Sequence, residues 1–123
     1  MKYAVFCYHS ENVVCAWSRE HDEAVMAKLG AVQETWAKAG KLGPVARLMP
    51  TTAATTVRKD NDPPLVLDGP FAETKEQLLG FFMIDCASLD EALAFTQELA
   101  EANPGGAYEV RPVGYFVDWS KGP

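Results

Sequence analysis

Long apolar runs are missing from this 123-residue chain. None approaches the ~18 residues needed to cross a bilayer, and the apolar start, Tyr3 to Tyr8, is cut short by His9, Ser10, Glu11 and Asn12. Neither a signal peptide nor an anchor is expected, and a membrane is not an expected partner. Basic residues are scarce too, 11 Lys+Arg against 17 Asp+Glu, for a formal charge of -6. Nucleic-acid affinity rests mainly on clustered Lys and Arg, so no nucleic-acid partner is expected either. Cys7, Cys15 and Cys86 form an odd set without CxxC spacing, the usage of reduced thiols in a cytoplasmic protein without a disulfide framework. Cys7 and His9 lie two apart and share a strand face, but zinc takes four ligands and the chain has only two histidines. No metal site is expected, and Cys7 reads as a small apolar residue packed in a strand. Gly43-Pro44 and Gly105-Gly106 lack the context of a phosphate loop, and no Gly-x-Ser-x-Gly elbow occurs. The aromatics, 11% of residues, suit core or interface, so no cofactor is expected.

What is present describes one ordinary globular domain. The chain is 48% apolar and 23% charged, with no repeat, linker or low-complexity tract, and reads as a single domain over residues 1–123. Folding a chain of this size buries roughly two-thirds of its surface, enough for a core without metals or disulfides.

Residues 2–8 (KYAVFCY) have strand chemistry, and the following SENVVCAW reads as a loop. Ser18 suits an N-cap, after which His21, Val25, Leu29, Val32 and Trp36 recur at helical spacing until Gly40, predicting a helix over about 19–39. Pro44 and Pro50 bracket Val45 to Met49, which then suits only an edge or interrupted strand. TAATTVRK (52–59) and Leu65 to Leu67 flank the turn Asp60-Asn61-Asp62-Pro63-Pro64 and read as a hairpin. LLGFFMIDC (78–86) reads as a central strand. Ser88 and Glu91 fit a capping box for a helix over about 89–101, and Tyr108 to Trp119 is extended, with Pro112 and Gly114 implying an edge, bulge or bend. The order β-α-β-β-β-α-β suggests an α+β, ferredoxin-like antiparallel sheet with both helices on one face. Two helices cover only one face, yet the central strand is apolar on both: Leu78, Phe82 and Ile84 on one, Leu79, Phe81 and Met83 on the other. Tyr3, Val5, Phe6 and Tyr8 do likewise in the first strand. A homodimer packed through that second sheet face is therefore expected.

The densest polar cluster is Asp68-Gly69-Pro70-Phe71-Ala72-Glu73-Thr74-Lys75-Glu76, between two apolar strands. Asp68 and Glu73, if close, would tune one another as a catalytic acid and base, with Lys75 orienting an anionic group. The plainer alternative is a structured connection, in which Asp68 accepts backbone N–H bonds and Glu73 and Lys75 face water. His21, in the first turn of its helix, is the candidate catalytic imidazole, with a partly buried residue near a cap as its alternative. Arg58 and Arg111 are candidate ligand-binding residues for a carboxylate or phosphate, or else members of structural ion pairs.

The string DGPFAETKEQLLGFFMID resembles the signature of the YCII-related proteins known as the DGPFAETKE family, matching over nine consecutive residues, 68 to 76. ATTVR at 54–58, EVRPV at 109–113 and the opening MKYAVFCY extend the resemblance over nearly the whole chain. It implies a dimeric α+β barrel of ferredoxin-like protomers. No reaction is generally established for that family. Some members are encoded beside extracytoplasmic-function sigma factors, which implies a regulatory or accessory role, and in the wider group an enzyme site around a His–Asp pair has been proposed. This chain departs from the latter pattern: Leu29 and Gly30 stand where the helix histidine would lie, and His21 is some two turns too early. Asp68, which opens the matching motif, is the best acidic candidate. Three readings follow. The chain binds or converts a small molecule in a cleft near the motif loop, it acts through protein contacts, or the motif is architectural. The first is favoured; whether the molecule is an enzyme is left open.

Overall fold

In the computed structural model, which describes residues 1–122, the chain runs in order through β1 (Lys2–His9), α1 (Glu11–Cys15), α2 (Arg19–Lys38), β2 (Leu42–Arg47), β3 (Thr55–Arg58), β4 (Leu65–Asp68), β5 (Gln77–Asp85), α3 (Leu89–Ala102) and β6 (Ala107–Pro112). Single 3-10 turns lie at Thr51–Ala53 and Trp119–Lys121. Four strands form one antiparallel sheet in the order β2-β5-β1-β6, and β3 with β4 forms a separate hairpin. This α+β arrangement is compatible with the expected ferredoxin-like fold.

The two central strands sort their side chains in phase. Tyr3 lies opposite Ile84 and Val5 opposite Phe82, and all four are buried against α2 and α3. Val25 and Leu29 supply the α2 side of this core, and Ala92, Phe95 and Leu99 the α3 side. Phe95 is fully buried, with its ring set edge-on to Phe82 at 5.8 Å and to Trp36 at 5.3 Å. On the other face Phe6 lies opposite Phe81 and Ala4 opposite Met83, only half-covered, which is the second apolar face read from the sequence.

Local signals set the helix ends. Ser18 Oγ accepts the His21 N–H at 3.0 Å, and Gly40, at φ +74, lets Lys41 N–H return to the Trp36 carbonyl. Ser88 Oγ accepts the Glu91 N–H, but Glu91 reaches back to the Ala87 N–H rather than to that of Ser88, and its second oxygen accepts from Lys41 Nζ at 2.8 Å. Lys41, ahead of the Ala87 bond, holds the Glu91 carboxyl below the usual carboxylate range.

Three expectations need correction. The segment after β1 is not a loop throughout but holds the five-residue α1, too short to show a period and anchored through Glu11 N–H to Gln77 Oε1 at 2.9 Å, 66 residues away. The strand expected at 45–49 is β2, begun three residues earlier. It is an edge strand, and an irregularity between Leu42 and Val45 accommodates Pro44, so four strands rather than three separate the long helices. The last strand ends at Pro112, with one more bond from Val113 N–H to the Lys2 carbonyl at 2.9 Å, after which residues 113–118 are not strand.

Two glycines give opposite predictions. A Cβ on Gly80 would lie 2.6 Å from the Ala46 carbonyl oxygen, across the β2–β5 ladder, whereas one on Gly30, exposed in mid-α2, would meet nothing within 4 Å. In urea unfolding, Gly80→Ala is expected to cost about 2 kcal/mol through overpacking, and Gly30→Ala to add about 0.5–1 kcal/mol through helix propensity.

Candidate functional site

The inward rows of β1 and β5 shrink toward one end of the sheet. Beyond Ile84 and Phe82 the β5 row reaches Gly80, and beyond Tyr3 and Val5 its cross-strand partner is Cys7. With so little side-chain volume there, the space between sheet and helices stays unfilled, leaving a cavity of about 90 Å³. Trp17, Val25, Met26 and Leu29 wall it on the helix side, Val45, Leu79 and Phe82 on the sheet side, and Val14 of α1 at its margin. The lining is mostly apolar, with polar groups at two places.

The first is the inner end. Cys7 lies directly opposite Tyr108 of β6, and Asn103, the residue capping the C-terminus of α3, donates to the Tyr108 hydroxyl at 2.9 Å and to Cys7 Sγ at 3.7 Å. Burial pushes the Cys7 thiol up, outweighing the hydrogen bonds from Tyr108 and Asn103, and burial likewise raises the Tyr108 phenol. His9, 7% exposed, lines the same cavity with its Nε2 3.0 Å from the Pro104 carbonyl oxygen. A carbonyl only accepts, so Nε2 carries the proton and Nδ1 of the neutral ring is an acceptor; it is buried without a partner. The left-handed Gly105 and Gly106 turn against this imidazole, and a Cβ on Gly105 would lie 2.8 Å from Nε2.

The second polar group is at the mouth. Arg47, on the helix-facing side of β2 opposite Gly80, donates in bidentate fashion to Asp22 of α2, at 2.8 and 3.1 Å. Hydrogen bonding to Arg47 holds the Asp22 carboxyl below its usual range, and Asp22 in turn raises Arg47. Both residues also line an outer depression of about 360 Å³ beside Glu11, Cys15 and Met49.

The residues singled out in the sequence lie elsewhere. Asp68 ends β4 opposite Thr55 and is exposed, as are Glu73 and Lys75 in the loop that follows. Arg58, on β3, sits over the Phe71 ring at 5.0 Å, so the hairpin and the motif loop do meet. Arg111 pairs with Glu109 and lies 5.5 Å from the Phe6 ring on the open sheet face. His21 is exposed, edge-on to Trp17 at 4.8 Å, and Trp17 in turn packs edge-on to His9 at 5.8 Å. Of this set Glu73 borders an open depression of about 390 Å³, shared with Glu11, Thr51 and Thr74. The loop reaches the cavity indirectly: Gln77 donates to the Thr74 carbonyl and accepts from Glu11 N–H, and so fixes α1, which carries Val14.

The family model for the YCII-related domain matches residues 1–117. The chain belongs to the YCII-related family. An uncharacterized protein of Rhizobium meliloti (strain 1021) is similar to it, 62% identical over 117 residues, which is 94% of each chain. Among the described residues of this YCII-related domain, no three His, Cys, Asp or Glu side chains are grouped to hold a metal ion, and no helix is long and apolar enough to cross a membrane.

Asp22, Arg47, Asn103 and Tyr108 were not singled out from the sequence. The one available signal was the two-residue spacing of Cys7 and His9, which does place both on the helix-facing side of β1 and in the cavity wall.

The three thiols test this arrangement. Cys15 is exposed, whereas burial raises both Cys7 and Cys86 and keeps them protonated at neutral pH. With a thiol-reactive disulfide at pH 7.5, native protein is expected to react rapidly at one cysteine, Cys15 by peptide mapping, and at the other two only after unfolding. Rapid native labelling of Cys7 would contradict its burial in the cavity wall.

Proposed function

We propose that this YCII-related protein binds, and where it is an enzyme converts, a compact molecule with an apolar body and a polar end, in the cavity between α2 and the sheet. The observation that carries this reading is the coincidence of unfilled apolar space with an unpaired buried acceptor, His9 Nδ1, beside the Cys7, Asn103 and Tyr108 groups. An unsatisfied buried polar atom costs about 1–3 kcal/mol, and a ligand hydroxyl would satisfy it. Apolar walls with a few convergent polar groups are the usual make-up of a small-molecule site. In this reading the motif loop acts through Gln77 by holding α1 in place. Asp68 and Glu73 are the proposed acid–base groups, and Lys75 and Arg58 the proposed anion-binding groups, for any chemistry at the loop itself; His21, beside Trp17, and Arg111, on the open sheet face, would act elsewhere.

The open sheet face favours a second proposal, that the protein works as a homodimer built through this face into an α+β barrel. Phe6, Phe81 and Met83 lie half-covered there, and Tyr115 and Trp119 of the C-terminal segment are 83% and 71% exposed. A role through contacts with another protein, such as a sigma factor, is the alternative use of the same surface.

For the cavity, benzyl alcohol serves as probe. Titration followed by protein NMR is expected to shift the Trp17 indole and the Val25 and Leu29 methyl resonances saturably, with Kd on the order of 1 mM. The filling variant Val45→Phe should abolish those shifts. Shifts confined to the exposed hairpin, or unaffected by Val45→Phe, would count against it. For the dimer, sedimentation should give twice the chain mass, and Phe81→Glu should give the single-chain mass with unchanged circular dichroism; a monomeric wild type would remove this proposal.

A further inference from the structure

The inner cavity and the outer depression share Val14, Asp22, Arg47 and Leu79. The Asp22–Arg47 pair thus stands between them. We propose that this pair is a recognition latch, in which the carboxylate of a small monocarboxylate takes the place of Asp22 on the Arg47 guanidinium while its apolar ring or chain enters the cavity. The proposal rests on the cavity reading above and names its ligand class.

Size is the first argument. About 90 Å³ is less than the ~150 Å³ known to take up benzene. A ring therefore enters only if the boundary yields, and the shared boundary consists of two apolar side chains and this ion pair. The outer space, about 360 Å³, lies on the far side of it.

Chemistry is the second. A planar guanidinium offers paired N–H donors that match a carboxylate, and Asp22 already occupies that fork with both oxygens. Exchange of one carboxylate for another conserves the hydrogen bonds. Asp22, 31% exposed in its side chain, returns to water, and the ligand gains burial of its apolar part. No bond is made or broken covalently.

Position decides between the two charges as the recognising group. Arg47 projects from the helix-facing side of β2 opposite Gly80 and lines both the cavity and the outer depression. Asp22 sits on the first turn of α2 at the rim. Glu11, the other carboxylate facing the outer depression, is engaged by the Thr51 N–H and hydroxyl, which leaves Arg47 the cation available to an incoming anion.

The test compares benzoate, benzyl alcohol and benzylamine by NMR titration of wild type, Asp22→Asn and Arg47→Gln, with thermal melts confirming that each is folded. Benzoate is expected to bind more tightly than either other probe. Asp22→Asn, which removes the internal competitor and loosens the boundary, should tighten benzoate about tenfold and benzyl alcohol by clearly less, and Arg47→Gln should erase the preference for benzoate. If Arg47→Gln does not fold, the Asp22→Asn comparison alone decides. Benzyl alcohol entering the cavity with no benzoate preference, no response to Asp22→Asn, or a preference for benzylamine would each overturn the latch and leave the cavity reading intact. Failure of all three probes to enter would overturn both.

Discussion

The register of β1 against β5 is the constraint on which the rest depends. It aligns Tyr3 with Ile84, Val5 with Phe82 and Cys7 with Gly80, so that both inward rows taper in the same direction. At the wide end α3 finds bulky partners, and Phe95 fills the space against Phe82 and Trp36. At the narrow end the sheet offers a thiol and a glycine. Gly80 cannot be enlarged, because β2 passes with its Ala46 carbonyl where a Cβ would stand. The cavity is therefore a product of strand pairing rather than of a loose helix. Protein interiors otherwise pack near crystal density, so such a gap is set by what the backbone permits.

That constraint also separates what the sequence makes legible from what it hides. Ser18, Gly40 and Ser88 mark helix ends because capping acts within four residues, and the turn after Lys59 joins a hairpin for the same reason. The period of Val25 and Leu29, and the two-faced apolar character of β5, carry through to the burial pattern. Contacts between distant residues leave no such trace. Asp22 and Arg47 are 25 residues apart, and Asn103 and Cys7 are 96 apart. Each looks like an ordinary charged or polar residue until topology brings it to a partner. The motif loop shows the same divide: its density of carboxylates reads as chemistry, while its tie to α1, through the uncharged Gln77 just beyond it, leaves no local trace.

Gln77 links the motif to the cavity by a short mechanical route. One amide end holds the loop at Thr74, and the other holds the start of α1 at Glu11, whose carboxylate takes the Thr51 N–H and hydroxyl. Those bonds keep the Glu11 carboxyl below its usual range. A five-residue helix has no stability of its own in water, so α1 exists only while this chain of contacts does. Val14 and Cys15 then take their places at the cavity margin as a consequence. A loop of exposed residues can in this way shape a space that it does not line.

The inner end shows where stability has been given up. Every component there has an apolar alternative of similar volume, and an apolar core of the same shape would avoid the cost of burying a phenol, a carboxamide and an imidazole. Asn103 and Tyr108 offset part of that cost by bonding each other, and His9 Nε2 does so through Pro104, but Nδ1 gains nothing from the fold. Rotating the ring would not help, because Nε2 would then lose its carbonyl. Nδ1 has no donor among the described residues. Water satisfies such groups where space and further polar partners adjoin, and the adjoining cavity has apolar walls in Trp17, Val25, Leu29 and Phe82 with Cys7, Asn103 and Tyr108 at its inner end. Those walls are what the proposed occupant, with an apolar body and a polar end, would meet.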